Sequence, residues 1–274
     1  MPEQPHILVT GSTGNLGEKA VNTLKVSEVR VTRIGRNTNN LADVIPADLT
    51  AYDLKWAKYF EGVQTVLHLA ADPKPVATWD SVQGLNIDLG LNVLRAAQLH
   101  GVQRFVFASS NWVLGGYRFT DTKLTSATPA RPVNPYGASK LFFERVGIEQ
   151  VHHSGMAFLS LRIGYCQPGD NQPGPHMAFG RWGQQMWLSN EDWAHAVECA
   201  CLNPFEGAAV LNIMSDNKGM RWERSEALDA IGYIPKSRYT PRLGVWGAFK
   251  SLLAQMRDSI LPPMNGKRLF GTRW

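Results

Sequence analysis

The sequence predicts an α/β fold: a doubly wound parallel sheet with a small C-terminal lobe. Three observations predict it. Over the first 165 residues, short apolar runs alternate with longer segments of helical pattern, the order of a sheet wound by crossover helices. The apolar runs are rich in Val, Ile, Leu and Phe with little polar alternation, as strands covered on both faces are. A glycine-rich stretch, TGSTGNLG at 10–17, joins the first run to the first helical segment.

The first strand is HILVTG (6–11). In the loop after it, Gly11 allows a tight turn, Gly14 lets backbone approach a pyrophosphate, and Gly17 lets the helix at 15–26 pack close to the sheet. The helix N-terminus favours negative charge. The spacing is GxxGxxG rather than GxGxxG; its place between first strand and first helix points to nucleotide binding over a plain turn. The second strand, VRVTRIG (29–35), ends at Gly35 and Arg36. An NAD site usually carries an acid here for the ribose hydroxyl, and RIGRNTNN (33–40) has none. A guanidinium suits the 2′-phosphate of NADP, so NADP is expected ahead of NAD; the alternative is a solvated surface arginine. Asp48, in ADLT after a third short strand, either accepts from an adenine amino group or caps a helix expected over 51–61. Strands TVLHLAA (65–71) and RFVFASS (104–110) flank a helical segment at 79–100, and a helix at 136–153 leads into FLSLRIG (158–164).

Beyond Gly164 the character changes. YCQPGDNQPGPHMAFGRWGQQ (165–185) is dense in Gly, Pro and polar residues and reads as a long loop. Ser189, followed by acids, caps a helix expected over 189–203. Further helices are expected near 222–231 and, amphipathic, near 244–260. Residues 1–164 are thus read as a nucleotide-binding core, and 165–274 as a substrate-binding part interleaved with the same sheet.

The chain has 274 residues, 44% hydrophobic, with a formal net charge of +5. The 28 Lys and Arg are scattered, without the basic stripe of a nucleic-acid binder. No apolar run reaches the roughly 18 residues of a membrane span, and MPEQPHILVTG (1–11) has no basic stretch followed by an apolar one, so no secretory signal is expected. Cys166, Cys199 and Cys201 cannot all pair within one chain and lack CxxC spacing. A reducing, cytoplasmic setting without disulfides or metal is expected.

Two positions carry the chemistry. NPYGASK (134–140) puts Tyr136 and Lys140 on one face of a helix. An ammonium beside a phenol stabilises phenolate and lowers its pKa from about 10, so that Tyr136 exchanges a proton with a substrate oxygen near neutral pH. Ser110, in FASSN (107–111), ends a buried strand at the carboxyl edge of the sheet, where ligands bind.

A strand-end Ser, YxxxK some 25 residues later and TGxxGxxG at the start together resemble the extended short-chain dehydrogenase/reductase family, which includes nucleotide-sugar epimerases and dehydratases. ADLT, LHLAA, Asn86 in GLNIDLG, and RIG extend the likeness along nearly the whole chain. The resemblance implies a Rossmann NAD(P)-binding fold, with Ser110, Tyr136 and Lys140 as the catalytic set and Lys140 also on the nicotinamide ribose. Ala70 and Ala71 would line the nicotinamide side, and Asn86, also placed among the cofactor-binding residues, would brace the central helix. Thr13, Asn15, Leu16, Leu49, Leu69, Ser109 and Ile163 would join the cofactor contacts. A homodimer through helices near 86–99 and 136–150, or a higher homo-oligomer, is implied as well.

Within the family the sequence is most similar to uronate dehydrogenases, which use NAD to oxidise the anomeric carbon of a hexuronic acid to a lactone. FASSNWVLGGY, RIGYC, MWLSNEDW and GYIPK carry that likeness. Asn111 would help position the substrate oxygen. Trp112 stands in place of that group's substrate-binding His, Tyr165 in place of a Ser, and Arg181, one position out of register, is the candidate for holding a carboxylate. The resemblance implies a carbohydrate-like substrate, and these departures imply weak or no activity on glucuronate or galacturonate. An epimerase and a non-catalytic nucleotide sensor are the competing readings. His68 reads as a packed strand-end residue, and Lys74, Arg118 and Arg181 either ring an acidic substrate or are solvated.

Overall fold

In this computed structural model, residues 4–38, 40–245 and 249 are described. The helix expected near 244–260 lies outside them except at residues 244, 245 and 249. The chain runs β1 (His6–Thr10), α1 (Asn15–Val26), β2 (Arg30–Gly35), β3 (Val44–Pro46), α2 (Leu54–Ala57), β4 (Thr65–His68), α3 (Trp79–Val82), α4 (Leu89–Leu99), β5 (Arg104–Ser110), α5 (Pro135–Ser154), β6 (Ala157–Ile163), α6 (Gly180–Gln185), α7 (Asn190–Leu202), β7 (Ala208–Ile213) and α8 (Ser225–Ile231). All seven strands pair in parallel, in the order β3-β2-β1-β4-β5-β6-β7. The order reverses between β1 and β4, the switch point where ligands bind beyond the carboxyl ends of such strands.

Strand alternation divides the core into two layers. Ile7, Val9, Val106, Leu159 and Leu161 face Trp193, Val197 and Ala200 of α7 and Leu24 of α1. Leu8, Val66, Phe105, Phe107 and Phe158 face Val93 and Ala97 of α4 and Phe143 of α5. Burial on both faces explains the unbroken apolar runs.

Five details differ from the expectation. The segment 51–61 is one turn of α-helix, capped by Asp53, running into a 3-10 turn at Lys58–Phe60. The helix expected over 79–100 is interrupted by a π-helical stretch, Gln83–Asp88. The loop 165–185 contains α6, and the helix near 222–231 begins at Ser225. The sequence reading contained no strand after 164, yet β7 extends the sheet. It is an edge strand, exposed over its first residue and fully buried only over its last three, so its apolar signal is short.

One buried cluster fastens the half of the sheet that carries the site. On the α5 side of β6, Ser160 and Arg162 follow Phe158, and both are fully buried. Glu144 of α5 meets them: Arg162 donates from Nε (3.0 Å) and Nη2 (2.8 Å), and Ser109 of β5 donates from Oγ (2.6 Å). Removing one partner of a buried ion pair strands the other charge, at a cost of about 3–5 kcal/mol. Glu144→Ala should therefore lose stability on that scale in denaturant unfolding; a loss under about 1 kcal/mol would contradict the role given to the pair.

His68 ends β4 fully buried, with Nδ1 2.8 Å from Thr10 Oγ1 and its ring among Phe105, Phe107 and Phe143. Burial, with the Lys140 charge adding, holds its pKa down to about 3. Unfolded His binds a proton below its ordinary value of 6.5 and native His68 does so only near 3. Stability should therefore fall as pH drops through that window, by up to about 1.4 kcal/mol per pH unit. Unfolding of wild type and His68→Gln between those pH values checks this: the mutant's dependence should be shallower, and an equal slope would contradict a buried neutral imidazole.

Candidate active site

A cleft of about 660 Å³ opens along the carboxyl ends of β1, β2, β4, β5 and β6. At one end lies the glycine loop. Gly11 has φ +66, and a Cβ there would stand 2.7 Å from Ala70 N; a Cβ on Gly17 would stand 2.1 Å from the Gly11 carbonyl. Both positions exclude a side chain, so the loop stays tight and α1 packs against it. A Cβ on Gly14 would meet only the Gly11 carbonyl, at 3.3 Å, leaving the cleft side of this backbone open. Asn15, Leu16 and Gly17 begin α1 and line the cleft; the N–H groups of a first helical turn have no intrahelical acceptor and attract anions. The loop is tied down by Thr13 Oγ1 donating to Asn37 O (2.9 Å) and Asn15 Nδ2 donating to Cys166 O (2.9 Å). This cradle fits the pyrophosphate of a dinucleotide.

Arg36, exposed, and Asp48 line the same end. Asp48 does not cap α2, whose cap is Asp53. Its Oδ1 accepts from Thr50 Oγ1 (2.7 Å) and Thr50 N (3.0 Å), and these bonds hold its carboxyl below the usual range. Leu49, Leu69, Ala70, Ala71, Ser109 and Ile163 continue the lining towards the middle of the cleft. Asn86 does not line it. Its side chain is spent inside the protein, accepting from Asp72 N (2.8 Å) and donating to Asp72 O (3.3 Å) and Ser139 Oγ (3.0 Å). It braces the loop after β4 against α5.

Ser110, Tyr136 and Lys140 meet at the other end of the cleft. Asn134 caps α5 by accepting from Gly137 N (2.7 Å), and Pro135 occupies the first helical position. The helix start therefore presents Tyr136 to the edge of β5. Lys140 Nζ donates to Ala108 O (2.7 Å) and lies 4.8 Å from the centroid of Phe107 and 5.6 Å from that of Tyr136. Burial brings the lysine down to about 7, against a smaller opposing pull from Glu144. Burial pushes Tyr136 up to about 12; a hydrogen bond with Ser110 opposes this and the Asp72 charge adds to it. The expectation that Lys140 lowers the tyrosine pKa is therefore corrected. With protein groups alone, burial dominates at both positions, and both side chains are pushed towards their uncharged forms.

Asn111 donates from Nδ2 to Arg162 O (3.2 Å), while its buried Oδ1 has no protein partner. Trp112 and Tyr165 line the cleft beside it. Arg181 does not: it is exposed on α6 and outside the lining. Phe179 and Met186 line the cleft and were not among the expected site residues. They reach it because Tyr165 N donates to Met186 O and Leu188 N to Tyr165 O, folding the segment after β6 back on itself. Among the described residues, no group of three or more His, Cys, Asp or Glu is placed to hold a metal ion, and no helix is long and apolar enough to cross a membrane.

Comparison with known proteins agrees with this geometry. The model of the NAD dependent epimerase/dehydratase family matches residues 7–166. The chain is 32% identical over 245 residues to an L-arabinose 1-dehydrogenase (NAD(P)(+)) of Haloferax volcanii, covering 84% of this chain and 96% of that protein. It is 31% identical over 235 residues to a uronate dehydrogenase of Pseudomonas syringae pv. tomato, covering 84% and 81%. The crystal structure of a glucuronic acid dehydrogenase from Chromohalobacter salexigens superposes with a TM-score of 0.73 at 24% identity, over 98% of this chain and 95% of that one, which shows a shared fold. With the family model spanning the glycine loop, Ser110, Tyr136 and Lys140, the chain belongs to the NAD dependent epimerase/dehydratase family.

Proposed function

We propose that the protein is an NAD(P)-dependent dehydrogenase acting on a hydroxyl or carbonyl carbon of a sugar or sugar acid, with NADP preferred. The observation that carries this reading is the meeting of Ser110, Tyr136 and Lys140 in one cleft with an anion-binding glycine loop. The L-arabinose and uronate dehydrogenases among its relatives support the substrate class. The nicotinamide cofactor, when bound, supplies the hydride acceptor or donor.

The chain's own part is binding, orientation and the proton. Ser110 and Asn111 hold the substrate oxygen. On reduction, Tyr136, protonated at neutral pH, gives its phenolic proton to the carbonyl oxygen. On oxidation the phenolate oxygen takes the proton of the substrate hydroxyl. Lys140, brought down to about 7 by burial, lies beside the Tyr136 ring; in its ammonium form it would stabilise the phenolate, and it would hold a ribose hydroxyl of the cofactor. We assign residues 1–164 to the cofactor and 165–274 to the substrate. The reading carries a cytoplasmic setting and a homodimer with it as expectations.

Tyr136→Phe should reduce turnover at least about a hundredfold, the scale of general acid–base catalysis, with nucleotide affinity little changed. Lys140→Met should impair both. Steady-state kinetics and nucleotide titration measure the two effects, and near-normal turnover by the phenylalanine variant would reject the assignment.

Arg36 lines the glycine-loop end of the cleft and RIGRNTNN (33–40) holds no acid; the carboxylate whose charge it meets is Asp48. Charge-assisted hydrogen bonds to a phosphate at this exposed site should favour NADP by about tenfold, less at high salt. Arg36→Asp should reverse the preference. Titration with both nucleotides at two ionic strengths tests it; tighter binding of NAD by the wild type would make Arg36 a solvated surface residue.

A further inference from the structure

The substrate end of the cleft holds a residue in an unusual conformation. Phe179 has a left-handed backbone, φ 68 and ψ 14, and Gly180 after it has φ 58. An aromatic side chain rarely adopts this conformation, and such a residue persists only where its surroundings hold it there. Its ring packs edge-on against Trp112, with centroids 5.0 Å apart, and lies 6.2 Å from the ring of Tyr165. Trp112, Tyr165 and Phe179 all line the cleft, as do Pro75, Ala178 and Met186.

This end is poor in positive charge. Among the described residues that line the cleft, the cations are Arg36 at the adenine end and Lys140, whose Nζ is engaged by Ala108 O. Arg181 is exposed and outside the lining. The Arg118 guanidinium carbon lies 5.7 Å from the centroid of the Phe179 ring, and Arg118 does not line the cleft. The Phe179 ring thus lies against that cation, which also sits 4.8 Å from the centroid of Phe119, and itself lines the cleft that Arg118 does not reach. A carboxylate placed against these rings would be desolvated without a partner, which is costly. The C–H face of a neutral sugar would lose little there.

We propose that Phe179 determines specificity, selecting a neutral sugar over a uronate by offering an apolar face with Trp112 and Tyr165 and by screening Arg118 from the cleft. The inference rests on the dehydrogenase reading for its substrate class, but it concerns binding and is separable from turnover.

L-Arabinose, D-galactose and D-galacturonate share one ring configuration and differ in what C5 carries: hydrogen, hydroxymethyl or carboxylate. Calorimetric binding of each to the NADP-saturated protein, alongside nicotinamide absorbance kinetics, separates the two questions. The wild type should favour the two neutral sugars over galacturonate by at least about tenfold in affinity and in kcat/KM. Phe179→Ala should narrow that ratio by about tenfold, through KM with kcat little changed. Adding Arg118→Met should remove the gain on galacturonate, and Phe179→Trp should keep the wild-type ratio. Phe179→Leu serves if the alanine variant does not fold. Preference of the wild type for galacturonate, an unchanged ratio in the folded alanine or leucine variant, or binding of none of the three would overturn the inference. Selective binding of the neutral sugars without nicotinamide reduction would sustain it and instead remove the dehydrogenase reading.

Discussion

Much of the site depends on a carboxylate that lies outside the cleft. Glu144 lies one helical turn beyond Lys140 on α5, buried beneath the edge of the sheet. It accepts from Ser109 on β5 and from Arg162 on β6, and Arg162 in turn offers its carbonyl to Asn111. Two strand ends and a helix are thereby held in one register. A buried ion pair adds little net stability over an apolar cluster, because desolvation offsets the attraction. Its directional bonds place α5 so that Lys140 reaches Ala108 O and Tyr136 reaches the end of β5.

The burial that fixes this geometry also sets the electrostatics. Tyr136 and Lys140 are both withdrawn from water at the base of the cleft, and withdrawal disfavours a charge of either sign. The phenol holds its proton more tightly and the ammonium less tightly than in solution. The pair is thus an acid that keeps its proton and a base that can take one near neutral pH. Asp72, held by the Ser81 hydroxyl and by its own turn, adds to the hold on the phenol proton. The other end of the cleft draws on a different resource, the backbone groups of a glycine loop and the first turn of α1.

Much of this was legible in the sequence, for identifiable reasons. HILVTG and RFVFASS announce buried strands because both faces of the sheet are covered. TGSTGNLG and YGASK are local: steric limits at Gly11 and Gly17, and one turn of helix between Tyr136 and Lys140, act within a few residues. What escaped depends on contacts distant along the chain. β7 is half-buried at the sheet edge, so its signal is short. The π-helical stretch holds Asn86, whose partners Asp72 and Ser139 lie 14 and 53 residues away. Phe179 is brought to the cleft, and Arg181 left outside it, by the return of the segment after Tyr165 onto Met186, which no local pattern in a Gly- and Pro-rich stretch reveals. Glu144 looks like any solvated helix acid until Arg162 is seen beneath it. The direction of the Tyr136 shift was misread because a neighbouring cation is visible in sequence while the degree of burial is not.

The central claim is that burial, set by the fold around Glu144, tunes Lys140 to neutrality. Its most direct test is the titration of the Lys140 side chain itself, by nuclear magnetic resonance of protein labelled at the lysine ζ-nitrogen, with the signal assigned from the spectrum of Lys140→Arg. The account predicts a midpoint at about 7, set apart from the surface lysines. A Lys140 signal that remains ammonium until the ordinary lysine range near 10.4 would contradict it.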